Sequence, residues 1–312
     1  MAFFNALGSV FSIVIMIALG YFLTHKKWID EENAKVFAKL ITNIGLPTMM
    51  INNLMINFDK EKLLDAGKGL FVPFASIALS YLCAKVFCRI FRVKKGRQGA
   101  FQSIFFVSNT IYMGLPVNLA LFGEQSVPYV LLYYIANTTF FWTIGVYEIS
   151  KDGKTGGAKL FSKDTLKRII SPPLLGFSSA IVLILLGIKL PSFILDSCRY
   201  LGNITTPLSM IFIGNTIYYV DFKGIKVDKD MVGALLGRFV ISPILVLIVI
   251  LIYPLPPLMK NVFTVQAAMP AMTNTAIMSR IYDTDYKYAA VMVAISTLLS
   301  VVVIPIYKVL LT

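Results

Sequence analysis

The sequence predicts an all-α polytopic membrane protein in which ten transmembrane helices form two inverted five-helix repeats. Three observations carry that prediction. Hydrophobic residues make up 57% of the 312 residues and charged residues 14%, with a mean hydropathy of +0.76. Soluble domains have about 45–50% apolar and ~25% charged residues. Long apolar runs recur from one end of the chain to the other, so a single anchor does not account for them. Finally, two proline motifs return at about half the chain length.

The runs occupy residues 3–24, 35–56, 70–91, 100–122 and 127–149, then 171–190, 193–220, 231–253, 262–282 and 286–310. Runs of this length suit a hydrocarbon core of ~30 Å. The first has no basic segment before it and no small-residue cleavage site after it, so it reads as a spanning helix and not a removed signal. The seventh is long enough to bend or break. Residues 1–150 form the first repeat, 151–170 a cytoplasmic linker with a short surface helix, and 171–312 the second repeat.

Charge sets the orientation. Loops after odd-numbered spans hold nineteen of the 29 lysines and arginines, including Lys94, Lys95, Arg97, Lys151 and Lys229, while the opposite loops hold seven. The positive-inside bias places both termini outside the cytoplasm, in a cell (plasma or inner) membrane. The net charge of +13 thus reflects topology, and no nucleic-acid partner is expected.

The halves share motifs. Span two contains Asn43-Ile44-Gly45-Leu46-Pro47 and span seven Asn203-Ile204-Thr205-Thr206-Pro207; span four contains Gly114-Leu115-Pro116 and span nine Ala268-Met269-Pro270. Five spans per half makes the repeat inverted, as in many secondary transporters. A proline inside a span lacks an N–H, so Pro116 is expected to orphan the carbonyl of Tyr112, and Pro270 that of Gln266. Polar neighbours stand ready to satisfy these carbonyls, with Ser108, Asn109 and Thr110 before Pro116, and Thr273, Asn274 and Thr275 after Pro270. Half-helices starting beyond such breaks aim a positive dipole end at the midplane, which suits an anion. The plainer reading is a pair of proline kinks with satisfied polar neighbours.

Other chemistry is thinly provided. Three cysteines (Cys83, Cys88 and Cys198) and one histidine, His25, offer no metal-ligand spacing, and Asp283-Thr284-Asp285 is one acidic pair at a span edge. No cofactor, metal or enzymatic activity is expected. The other carboxylates, Glu148 among them, read as loop or span-edge residues. Arg238, inside span eight, reads as snorkelling to the interface rather than binding.

At these motifs a resemblance emerges. Ser108-Asn109-Thr110-Ile111-Tyr112-Met113-Gly114-Leu115-Pro116 resembles a stretch of the plant auxin exporters. Arg238-Phe239 with Ser242-Pro243, Gln266-Ala267-Ala268-Met269-Pro270 and Asn137-Thr138-Thr139-Phe140-Phe141-Trp142 are similar to further motifs of the auxin efflux carrier family, which includes malate permease-like bacterial members. The resemblance implies a scaffold of helices one, two, six and seven, and a moving transport domain of helices three to five and eight to ten. It implies that broken helices four and nine cross at their prolines, and that a small organic anion (auxin-like, or a mono- or dicarboxylate) binds there. It assigns Asn109 as the carboxylate partner, Pro116 and Pro270 to the crossing and Thr138 to the substrate face of span five; with their polar and glycine neighbours the candidate site comprises Asn109, Thr110, Gly114, Pro116, Asn137, Thr138, Pro270, Thr273 and Asn274. It also implies a homodimer through the scaffold. The chain departs from the plant proteins at Ser171-Pro172-Pro173, where they read Asn-Pro-Asn and supply a second substrate asparagine. A receptor or sensor without transport is the alternative.

Overall fold

The computed structural model describes residues 2–153, 169–220 and 227–311, with side chains from residue 11 onward. The linker's surface helix lies outside the described residues. The described chain is helical throughout, and its one isolated β-bridge lies between two helix interruptions. We number the helices α1 (Ala2–His25), α2 (Glu31–Leu40), α3 (Leu46–Asn57), α4 (Lys60–Lys68), α5 (Phe71–Ile90), α6 (Gln98–Phe106), α7 (Gly114–Phe122), α8 (Val127–Phe140) and α9 (Val146–Lys151). After the linker come α10 (Pro172–Leu185), α11 (Ser192–Asn203), α12 (Thr205–Tyr218), α13 (Lys229–Leu236), α14 (Ser242–Ile252), α15 (Pro257–Ala267), α16 (Asn274–Ile281) and α17 (Tyr286–Leu310).

Among the described residues four helical runs are long and apolar enough to cross a membrane unaided: Lys60–Ile90, Glu124–Lys151, Lys229–Ile252 and Tyr286–Leu310. Phe11–His25 and Pro172–Leu185 are shorter apolar helices. Large apolar side chains stand exposed at helical spacing: Phe11, Ile15, Leu19 and Phe22 on α1, and Leu79, Leu82, Val86 and Ile90 on α5. In water such stripes would drive association; against lipid they are the solvent-facing side.

Contacts divide the chain into two compact units. The first comprises Met1–Gly69, Ile111–Leu132 and Ile170–Tyr219; the second comprises Leu70–Thr110, Tyr133–Ile169 and Val220–Thr312. In the first unit α1 packs on α12, and α3 packs on α10 and α11. Small residues allow the close approach, as is usual where lipid removes the hydrophobic drive between helices. A Cβ on Gly20 would overlap the Ile211 backbone, and one on Gly214 the backbone of Ile17 and Tyr21. A buried polar link joins the same pair, with Asn215 Nδ2 donating to Thr24 Oγ1 at 3.0 Å.

The second unit packs α6 against α5, α9 and α13, around Phe101, Phe105, Met231, Tyr288 and Met292. At one end Arg97, which precedes α6, binds Asp285 Oδ2 through Nε at 2.6 Å and Asp228 Oδ2 through Nη1 at 2.9 Å. Asp228 and Asp285 are the N-caps of α13 and α17, accepting from the N–H groups of Met231 and Tyr288. One guanidinium thus ties three helix starts together.

Three helices carry a π turn among the described residues: Ile41–Gly45, Phe141–Gly145 and Gly237–Ile241. Pro47 and Pro243 explain two of them. Each follows its turn closely and cannot bond the carbonyl four residues back, so the helix widens. In span eight the displaced carbonyl is that of Phe239, which accepts from the Tyr307 hydroxyl at 2.6 Å. The seventh segment does break, at Ile204, between α11 and α12.

Candidate functional site

In the second unit two helices stop short and their loose ends meet. The chain leaves helix after Phe106 and resumes at Gly114; it leaves again after Ala267 and resumes at Asn274. Ser108 and Ala271 form an antiparallel bridge, and the Asn109 N–H donates to the Pro270 carbonyl at 2.8 Å. Backbone out of helix and away from water needs side chains to satisfy it. Asn137, fully buried on α8, does so for Ser108: Nδ2 donates to its carbonyl and Oδ1 accepts from its N–H, both at 2.9 Å. Gln266 Nε2 donates to the Thr110 carbonyl at 3.2 Å, and Asn109 Nδ2 reaches Thr273 Oγ1 at 3.4 Å.

The prolines act differently from the expectation. Pro116 is the third residue of α7, where N–H groups have no intrahelical acceptor to lose, so the break lies before it. With Gly114 it belongs to the first unit, whereas Asn109, Thr110, Asn137, Thr138, Pro270, Thr273 and Asn274 belong to the second. The Gln266 carbonyl is not orphaned by Pro270, because it accepts from the Met269 N–H at 3.2 Å. The carbonyl without a local donor is that of Ala267. Three residues on stands Pro270, with no N–H; four on stands Ala271, whose N–H donates to Ser296 Oγ at 3.1 Å. Arg238 Nη2 takes that carbonyl instead.

Some polar groups at this place are uncommitted. Thr139 and Thr143 donate their hydroxyls to carbonyls four residues back, Ile135 and Thr139, at 2.7 and 2.6 Å. Thr138, 3% exposed, does not: its Oγ1 is buried with no hydrogen-bond partner among the described residues, as is Gln266 Oε1. Asn274 is half-buried at the first position of α16. The arrangement is a hydrogen-bonded polar knot, and the uncommitted Thr138 hydroxyl sits on α8 one residue after Asn137, which holds the knot's Ser108 backbone.

Sequence reasoning undervalued two residues. Arg238 does not snorkel; it is 0% exposed. Glu148 is 7% exposed and accepts from the Tyr81 hydroxyl at 2.5 Å, with Lys85 and Lys151 at 3.5 and 3.6 Å. It joins α5 to α9 within the second unit. Its position near the end of a span hid its burial, which depends on α6 packing against α9 and on the α5 side chains that reach it.

The pattern of a family described as membrane transport protein matches residues 5–308. The chain belongs to that family. It is the auxin efflux carrier-like family that the motifs of spans four, five, eight and nine resemble. An uncharacterized transporter of Methanocaldococcus jannaschii is 28% identical over 306 residues, covering 96% of both chains. An uncharacterized transporter of Methanothermobacter thermautotrophicus is 24% identical over 312 residues, covering 100% of both. Family and apolar helices together make this an integral membrane transporter and not an enzyme.

Proposed function

We propose that the protein is a secondary transporter that moves a small organic anion, an auxin-like acid or a mono- or dicarboxylate, by an elevator-like alternating-access cycle. The carboxylate binds where broken helices four and nine cross, beside Asn109, Thr138, Thr273 and Asn274. Helices one, two, six and seven of a ten-span inverted repeat form the scaffold, and both termini face away from the cytoplasm. The observation that carries this reading is the buried Thr138 hydroxyl, unpartnered among the described residues, one residue along α8 from Asn137, which hydrogen-bonds the helix interruption. A buried polar group without a partner costs about 1–3 kcal/mol, and in a transporter a ligand supplies the missing partner. The division into units supports the same reading, since spans one, two, six and seven fall in one unit and three, eight, nine and ten in the other.

Purified protein in proteoliposomes tests it. Saturable uptake of radiolabelled malate, benzoate or indole-3-acetate is expected, lost in Asn109→Ala, and runs with imposed sodium or proton gradients identify the driving ion. Absence of flux for every anion overturns the transport reading; wild-type affinity in Asn109→Ala overturns the site.

A further inference from the structure

The two helices that stop at the interruption, α6 and α15, both present C-terminal ends there. Each such end carries about half a negative charge, which opposes an anion. One short stretch of span eight caps both. Arg238 Nη2 donates to the Ala267 carbonyl, the last of α15. Ser242 Oγ donates to the Phe105 carbonyl, next to last in α6, at 2.8 Å. Because Ser242 has one proton and gives it to Phe105, the 2.6 Å contact with Ser80 makes Ser80 the donor there. Positions 238 and 242 are four residues apart, so they lie on one face of the helix, which carries the π turn Gly237–Ile241 at this point. Gly237 lets that face press on α6, since a Cβ there would enter the Phe105 ring.

The two caps differ in charge. Ser242 is neutral. Arg238 is a whole positive charge, fully buried, with Nε and Nη1 unpartnered and no ion pair among the described residues. A guanidinium removed from water without a counter-ion is costly, and a neutral donor could have served Ala267. We infer that Arg238 is a positioning residue for anion selectivity: its charge outweighs the negative ends of α15 and α6, and an anion bound at the interruption is its counter-ion across that short distance. This rests on the interruption being the anion site. Arg238 touches no ligand itself, being sealed from solvent, so it acts through the field and through the geometry of α15's last turn.

Titration calorimetry on the detergent-solubilised protein tests it with two matched pairs, benzoate with benzamide and indole-3-acetate with indole-3-acetamide. The wild type is expected to prefer each acid to its amide. Arg238→Gln, which can still donate to Ala267, is expected to weaken acid binding about tenfold or more while leaving amide binding unchanged, the size a charge at a helix end commands. Arg238→Lys, which keeps the charge, is expected to keep the preference, and serves alone should the glutamine variant not fold. Equal loss for acid and amide in Arg238→Gln, or loss of preference in Arg238→Lys, would mark a structural role and overturn the inference. A wild type that binds no acid of either pair, and moves none in proteoliposomes, sinks the anion reading itself. A wild type that binds acids and a folded glutamine variant that binds them equally well sink this inference alone.

Discussion

Two neighbouring threonines on α8 separate structural from ligand roles. Thr139 donates to the Ile135 carbonyl, while the Thr138 hydroxyl has no hydrogen-bond partner among the described residues. Replacing Thr138 with valine removes a hydroxyl that holds nothing in the fold. Thermal stability should stay level or rise, while KM for a transported carboxylate rises about tenfold, the worth of one lost hydrogen bond of roughly 1.4 kcal/mol. A stable variant with unchanged KM would remove Thr138 from the site. Asn137 is the converse case. Both ends of its amide are engaged with the Ser108 backbone, so Asn137→Leu strands a buried N–H and a buried carbonyl. A loss on the order of 2–6 kcal/mol is expected at about 1–3 kcal/mol for each, read as a fall in the melting temperature in detergent. Both residues were legible as polar residues of a span. Which of them is committed was not, because that depends on a partner 29 positions away.

At the scale of the helix, interruptions were legible and their chemistry was not. A proline within an apolar run announces a carbonyl in need of a donor, but not which carbonyl, since the neighbouring N–H groups can turn back. At Pro270 the need shifted by one residue, to Ala267, because Met269 serves Gln266. At Pro116 the interruption had already happened. Span two was expected as one continuous run; it carries a π turn, and α4 was not expected at all, although Asp59 caps it by accepting from the Lys62 N–H at 2.8 Å. Span lengths fared well where hydropathy alone decides, as in Tyr286–Leu310, and less well in the sixth, where α10 ends at Leu185. The pairing of α1 with α12 yields a prediction at this scale. Gly20 and Gly214 each lie against the other helix's backbone, so Gly214→Leu must push the helices apart. A destabilisation of about 1–3 kcal/mol or more is expected from such overpacking, and Gly67→Ala, where a Cβ meets nothing, should be silent in the same melting assay.

Over the whole molecule, polar organisation is concentrated in the second unit, in the interruption and in the Arg97 hub. Burial acts to lower the Arg97 guanidinium and to raise the Asp228 carboxyl. Hydrogen bonding and charge from Asp285 and Asp228 outweigh burial and hold Arg97 above its ordinary value. For Asp228 the Met231 N–H and the Arg97 charge win, so its carboxyl lies below the usual range. A carboxyl lowered in the folded state contributes stability above its unfolded value of about 4, and that contribution is lost as pH falls through the folded value. The melting temperature of Arg97→Gln should therefore sit below that of the wild type at neutral pH, with the gap closing below about pH 4. A gap independent of pH would mean that Arg97 acts by packing, through the stacking of its guanidinium 4.7 Å from the Tyr288 ring centroid. The charge of these loops was plain in the sequence; that one arginine would gather three helix starts was not, since Asp228 and Asp285 lie 131 and 188 positions away.

The missing N–H of Pro270 also has a consequence for descent. Any other residue at that position could turn its own N–H back to the Ala267 carbonyl, and the guanidinium from span eight would lose its acceptor's need while retaining its cost of burial. Positions 238 and 270 should therefore drift as a pair among related chains. Lineages that give up the proline are released from the arginine, and a lineage holding the arginine without the proline should be seldom found.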